Sequence, residues 1–310
     1  MGNSHPSHHP RRRAEKGSIS HVFGPSTEVV PYVELHAHSA FSFLDGASAP
    51  LELAAAAADL GYPAMALTDH DGIWGSMEFA HACKGFGLRP ITGAELTVEL
   101  GPGGRAAHLT LLVESATGYR NLCRLLTGAH SHTREGTGRS PGQPCVTLEQ
   151  VEERAEGLIC LSGCARDGVV AGAWQRDEQP AGAALARRLL TAFGPDNFRI
   201  ELQRPYWRHD RARNHWLAGL AARLGVPCVA TGNVHSHTRR RSPLQDAFVA
   251  VRLGTTLEAS EPRRRGNSTS ALSSPEAMAA RFAEHLEAVA ESARLAERLA
   301  FDLTAELGYR

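Results

Sequence analysis

His36 and His38 close the run Tyr32-Val-Glu-Leu-His-Ala-His-Ser. Side chains two apart on a strand share a face, so an apolar strand ending in His-x-His presents two imidazoles together where a sheet or barrel opens to solvent. Imidazole is a borderline donor suited to divalent transition ions. Asp45 follows in Phe41-Ser-Phe-Leu-Asp-Gly, His70 ends the next strand-like run, Ala64-Met-Ala-Leu-Thr-Asp-His, and Glu95 lies in a third, Ile91-Thr-Gly-Ala-Glu-Leu. Successive strand ends that each carry a hard or borderline donor point to a metal centre rather than to scattered structural histidines. Asp69, beside His70, reads as a hydrogen-bond partner that fixes an imidazole. His108, at a strand start, reads on its own as structural.

The elements that must position these donors alternate between β runs and helical stretches. Strand 32–37 precedes helix 50–61, where Pro50 suits the first turn and Gly61 the stop. Strand 64–69, helix 75–86, strand 88–98, strand 108–114 and helix 117–130 come next, and residues 131–146, rich in Gly, Ser, Thr and Pro, read as a loop. Helix 147–155, strand 158–163, a helical stretch over 165–193, strand 198–203, helix 209–224 and strand 227–231 complete the series. Seven strands alternating with helices predict a parallel α/β architecture, closed as a barrel or left as an open sheet. Donors at strand ends agree with where such folds place their sites.

Past residue 242 the character changes. Helices 243–252, 275–285 and 287–301 flank an Arg/Gly/Ser loop at 260–274, which reads as a small helical extension over 243–310 following a metal-binding unit over 31–242. Residues 1–30 read as a disordered lead. The 310 residues are 42% hydrophobic with a formal net charge of zero, enough for a sizeable core and without a bulk electrostatic case for nucleic acid. Local basic patches remain at Arg239-Arg240-Arg241 and Arg263-Arg264-Arg265. The cysteines form no CxxC pair, which fits a reducing cytoplasm. No stretch approaches the roughly 18 apolar residues of a membrane span.

Several motifs together resemble the polymerase and histidinol phosphatase (PHP) domain of the bacterial DNA polymerase III alpha family. They are Leu35-His-Ala-His-Ser-Ala-Phe-Ser-Phe-Leu-Asp-Gly-Ala, Ala66-Leu-Thr-Asp-His-Asp-Gly, Gly93-Ala-Glu-Leu, Gly118-Tyr-Arg-Asn-Leu-Cys-Arg-Leu, Leu161-Ser-Gly-Cys and Ala230-Thr-Gly-Asn-Val-His. The likeness continues through Val251-Arg-Leu-Gly-Thr-Thr to Leu295-Ala-Glu-Arg-Leu-Ala-Phe-Asp-Leu, and the first motif looks most like the error-prone branch.

The resemblance implies a distorted seven-stranded (β/α) barrel holding up to three divalent metals, zinc or manganese, with magnesium as a further option. It places ligands at His36, His38, Asp45, His70, Glu95, His130, Cys164, Asn233 and His235, with His132 and His108 as alternatives to His130. Glu95, as a bridging ligand, Asp45 and His235 would carry the chemistry, with Arg239 and Arg240 guiding phosphate. Cys164, a soft thiolate donor, favours zinc or another thiophilic ion.

The activity implied is phosphoester hydrolysis at a DNA 3′ end, with polymerase, replication or translesion factors as partners in the bacterial cytoplasm. Asn233 departs from the pattern, which has aspartate there. A neutral amide binds a cation more weakly than a carboxylate does. The alternative is therefore a catalytically weak or inactive docking module of a split or truncated polymerase. The polymerase palm lies after this region in the family, so this chain by itself is not expected to polymerise DNA.

Overall fold

A computed structural model describes residues 1–2, 30–101, 104–133 and 142–307. The expected lead over residues 1–30 therefore falls outside the described residues except at 1, 2 and 30. Within the expected loop at 131–146, residues 134–141 also fall outside them.

Seven strands form one curled sheet: β1 (Ala64–Leu67), β2 (Arg89–Leu100), β3 (Arg105–Val113), β4 (Val146–Thr147), β5 (Leu158–Leu161), β6 (Phe198–Gln203) and β7 (Cys228–Thr231). Their order is β1-β2-β3-β5-β6-β7, and the short β4 lies beside β2 at the end of the expected loop. The helices are α1 (Pro50–Asp59), α2 (Ser76–Gly85), α3 (Ala116–His130), α4 (Leu148–Glu152), α5 (Ala171–Gln175), α6 (Gln179–Phe193), α7 (Asp210–Leu224), α8 (Ser242–Arg252), α9 (Pro275–Arg281) and α10 (Leu286–Arg298).

The expected parallel α/β architecture holds apart from one strand. β3 runs antiparallel to both β2 and β5, whereas β1–β2, β5–β6 and β6–β7 are parallel. Only Gly101-Pro-Gly-Gly104 separates β2 from β3, and a parallel return needs a dozen residues or more. The expected helix over 165–193 is likewise two helices. Asp177 takes a left-handed φ of 59° between α5 and α6, and Pro180 sits in the first turn of α6.

The expected strand at 32–37 is an extended segment that spans the opening between the two edges of the sheet. On one side the Ala66 N–H donates to the Glu34 carbonyl (2.8 Å) and the Thr68 N–H to that of Ala37 (2.7 Å). On the other, the His38 N–H donates to the Val234 carbonyl (2.8 Å) and the Val234 N–H to that of His36 (2.9 Å). Side chains supply the remaining bonds, so no regular ladder forms. Thr68 Oγ1 accepts from the Ala37 N–H (3.0 Å), Glu34 Oε1 from the His36 N–H (3.0 Å) and Ser292 Oγ from the Val33 N–H (3.0 Å). The buried Glu34 carboxyl also accepts from Tyr32 Oη (2.7 Å) and from the Gly232 N–H (2.9 Å). Burial pushes this carboxyl up to about 7 even though those donors oppose the shift.

The C-terminal helices pack into the same body. Leu295 and Ala296 of α10, with Leu299 just after it, share a buried cluster with Val33, Leu35, Ala64 and Val229, and Met278 and Phe282 join the main core. Arg199 of β6 pairs with Glu291 of α10 at 2.7 Å, both nearly inaccessible. Thr68→Val keeps the shape of the seam but leaves the Ala37 N–H buried without its acceptor. That substitution should cost about 1–3 kcal/mol, read as a lower urea midpoint at unchanged slope. An unshifted midpoint would show that the seam does not depend on this hydroxyl.

Candidate metal centre

Glu95 is the hub. Its side chain is 1% exposed and surrounded by imidazoles. Oε1 lies 3.3 Å from His36 Nε2, and Oε2 lies 3.5 Å from His38 Nε2, 3.1 Å from His70 Nδ1 and 3.6 Å from His108 Nδ1. The parallel bridge between His70 and Glu95 sets the chain after β1 beside β2, and the β2–β3 register places His108 opposite Thr97. Asp45 forms a second focus: Oδ2 lies 3.1 Å from His70 Nε2 and 3.0 Å from His235 Nε2. Among the described residues three overlapping donor groups result, His36–His38–Glu95, His70–Glu95–His108 and His38–His70–His235.

Whether these donors suit a cation is tested by their lone pairs. His36 Nε2, His38 Nε2 and Glu95 Oε1 are buried, and none makes a well-aligned hydrogen bond; His36 Nε2 and Glu95 Oε1 have only each other, at 3.3 Å. Asn233 Oδ1 is likewise buried without a hydrogen bond. Buried polar atoms of native proteins are nearly always paired, so several unpaired acceptors facing one another call for a cation. The donor set fits a divalent ion. His36 is aimed by its other nitrogen: Nδ1 lies 2.7 Å from Glu201 Oε1, so Nδ1–H donates outward and Nε2 faces the cluster. Glu201 is itself held by Thr231 Oγ1 (2.5 Å) and Gln203 Nε2 (2.7 Å).

The electrostatics follow this layout. Burial disfavours a charged His36, but Glu201 and Glu95 outweigh it and hold its pKa well above the ordinary value. Burial, with His235 and His70 beside it, holds His38 well below. Burial acts to raise the Glu95 carboxyl, yet His108, His70 and His36 keep it well below the usual range. Burial, then Arg265, lowers His235 to about 4. A proton on His36 and a metal at its Nε2 satisfy the same negative field, so metal binding here would release protons.

Above the cluster lies a cleft of about 300 Å³ whose lining includes Asp45, His70, Glu95, His108, Cys164, Asn233 and His235. His36 and His38 are fully buried beneath it. The structure thus brings together His36, His38, Asp45, His70, Glu95 and His235 from the expected set. Cys164 reaches the cleft with Sγ 3.6 Å from His108 Nδ1; burial, then Glu95 and Asp167, push its thiol up. Asn233 also lines the cleft, in a left-handed conformation (φ 47°), its Nδ2 donating to Gln203 Oε1 at 3.3 Å.

His130 is not brought into the donor groups. Its Nε2 lies 2.7 Å from the Asp71 carbonyl and its ring packs edge-on against Trp74, while His108 takes the place beside Glu95. Arg239 and Arg240 form a short 3₁₀ turn outside the cleft, which Arg166, Arg252, Arg263 and Arg265 wall instead. Asp69 ties down the 39–42 loop rather than fixing an imidazole. It accepts from the Ser39 N–H (2.7 Å) and from Ser42 Oγ (2.7 Å).

Sequence reasoning missed Glu201 and Arg252, and took Arg265 only as part of the basic patch at 263–265, without linking it to the donors. A signal for Glu201 was present: β6 reads Phe-Arg-Ile-Glu-Leu-Gln and is buried throughout, so its polar face had to look inward. Nothing in the sequence aims either arginine at the donors, because their positions depend on how the C-terminal segment folds back.

Strand-end donors around a buried carboxylate, on a curled α/β sheet, define an α/β protein with a candidate metal centre at the mouth of its sheet. The PHP domain family description matches residues 34–205, and the chain belongs to that family. It is 40% identical over 288 residues to an error-prone DNA polymerase of Symbiobacterium thermophilum, an alignment covering 89% of this chain and 26% of that protein. To DNA polymerase III subunit alpha of Treponema pallidum it is 36% identical over 278 residues, covering 86% of this chain and 23% of that one. The chain thus spans about a quarter of the length of the curated relatives it matches. Among solved structures, an amidohydrolase from Chromobacterium violaceum overlays at TM-score 0.44 with 21% identity, covering 66% of this chain and 87% of that one, too slight a likeness to bear on the site. Among the described residues no helix is long and apolar enough to cross a membrane.

Two outcomes follow from the geometry. Chelation should lower the melting temperature of the native protein and leave a His36→Ala variant, already depleted of metal, unmoved; a native protein indifferent to strong chelator would contradict the metal centre. Glu201→Gln should weaken metal affinity roughly 10–100-fold by loosening His36, measured by competition with a chromophoric chelator.

Proposed function

We propose that the protein is a metal-dependent phosphoesterase acting on DNA 3′ ends, as part of a polymerase-related assembly. One observation supports the reading above others: donor atoms of His36 and His38 lie buried 3.3 and 3.5 Å from the Glu95 carboxylate, without well-aligned hydrogen bonds, under a cleft walled by arginines. Phosphoesters suit this combination, since cations at the floor meet the reacting oxygens and guanidiniums at the walls meet the others. The names of the relatives, error-prone DNA polymerase and DNA polymerase III subunit alpha, favour DNA as the source of the phosphate.

Divalent ions, zinc or manganese with magnesium as a further option, would supply Lewis acidity and lower the pKa of water to roughly 7. His36 and His38 would hold them from beneath, Glu95 from the centre, and His70, His108 and Cys164 from the cleft side. The chain's own residues then bind and orient. Arg252 and Arg166 would take phosphate oxygens, and Trp207, stacked under Arg166 at 4.6 Å, keeps that guanidinium in the wall. Glu201 keeps the His36 tautomer correct throughout.

A second reading rests on Asn233. An amide where the family pattern has a carboxylate leaves one position short of charge, which suits a catalytically weak module that docks on replication partners. Release of nucleotides from 3′-labelled single-stranded DNA with Mn²⁺ or Zn²⁺ should occur with the native chain and be lost in His36→Ala/His38→Ala. Absence of release from folded, metal-loaded protein would favour the docking module. Asn233→Asp raising the rate at least tenfold would show that the natural site is weakened by its amide; an unchanged rate and metal content would remove that position from the site.

A further inference from the structure

Among the described residues the two ends of the donor cluster differ in one respect: guanidinium groups touch one of them and not the other. Among the described residues Glu95 pairs with imidazoles alone. Asp45, at the other end, has Arg252 Nη1 3.3 Å from Oδ1 and Arg265 Nη2 3.7 Å from Oδ2.

The chemistry at that end is specific. His235 Nδ1 lies 2.9 Å from the Asn233 carbonyl, so Nδ1–H donates there and Nε2 carries the lone pair. That lone pair lies 3.0 Å from Asp45 Oδ2, which is also 3.1 Å from His70 Nε2. A carboxylate oxygen and an imidazole lone pair so close repel unless a cation or a proton joins them. Arg265 meets the need, donating from Nη2 to His235 Nε2.

Its placement is built, not incidental. The Arg265 carbonyl accepts from Trp207 Nε1 (2.9 Å), and the two preceding carbonyls accept from Arg166 (3.1 and 3.2 Å). Two residues on, Asn267 Nδ2 donates to the Pro205 carbonyl at 2.7 Å. Nearby, Asn233 contributes an amide and no charge, so a divalent ion beside Asp45 would meet two guanidiniums against a single carboxylate.

We propose that Arg265 is a resident cation whose guanidinium takes the coordination position between Asp45 and His235, so that the chain binds divalent metal at the Glu95 end and excludes it from the Asp45 end. This rests on the metal-centre reading above and goes further, because it makes the number of ions a property of one side chain. Asp45 and His235 remain occupied, but by a group that cannot dissociate into solvent or exchange with another ion.

Equilibrium dialysis of the full chain against Zn²⁺, and separately Mn²⁺, followed by elemental analysis, gives metal per chain. Arg265→Ala should bind one more ion per chain than the native protein, or bind its last ion at least tenfold more tightly. Arg265→Lys, which keeps the charge, should hold closer to the native stoichiometry. Arg265→Gln, neutral and planar, stands in should the alanine variant fail to fold by circular dichroism. Histidines in the first thirty residues contribute equally to every variant and cancel in the difference. Equal stoichiometry and affinity in the native, alanine and glutamine proteins, with metal still lost in His36→Ala/His38→Ala, would overturn the role of Arg265 alone. Absence of stoichiometric metal from the native and Arg265 variants alike would overturn the metal centre and this inference together.

Discussion

A carboxylate removed from water must be paired, and the demand of Glu95 for positive or donor partners organises the mouth of this fold. Burying an unpaired charge costs several kcal/mol at least, and Glu95 is 1% exposed. Its partners come from separate stretches of chain: His36 and His38 from the segment across the sheet opening, His70 from the end of β1 and His108 from β3. Two of these partners, His36 and His38, lie in the segment that closes the sheet, so the same stretch of chain spans the opening and lines the cluster.

The antiparallel β3 serves the same end. Its register sets Thr110 opposite Glu95 and His108 opposite Thr97, so residues two apart on β3 reach the cluster together. Thr110 Oγ1 comes within 3.2 Å of His36 Nδ1, alongside Glu201 at 2.7 Å. A parallel strand in this place would need a crossover that the four-residue link cannot provide.

The segment past residue 242 takes part in the site as well as in the core. Arg252 ends α8, Arg263 and Arg265 lie on the loop that follows, and all reach the cleft formed by the barrel strands. α10 meanwhile covers the apolar backs of Val33 and Leu35, the residues that lead into His36. The Val33 N–H donates to Ser292 Oγ on that helix. This segment borders the donors from above and supports them from behind, so it contributes to the candidate metal centre as well as to the core.

How much of this could be read from the chain depends on the range of the interaction. The strand-end donors His36, His38, Asp45, His70, Glu95 and His235 were legible because strand periodicity and local spacing constrain them, and the family motifs span them. Local chemistry equally announced the helix starts at Pro50 and Pro275. The direction of β3 and the break before α6 had local signals, the short link after β2 and Pro180, which the simple alternation of elements overrode. The seam at 32–38 was not legible, because it is decided by which backbone groups find partners at the two sheet edges, and His108 could be told from His130 only in the folded chain. Glu201 was half legible, as a polar face on a strand buried on both sides. Where Arg252 and Arg265 end up was wholly a matter of tertiary structure, because a long, flexible side chain carries no periodic signature; the basic run at 263–265 showed charge but not its destination, which for Arg265 is set by the Trp207, Arg166 and Asn267 contacts that pin its loop. Sequence alone determined which groups were available to hold a cation; the fold decided which of them meet, because lone pairs and charges act over a few ångströms that no spacing along the chain encodes.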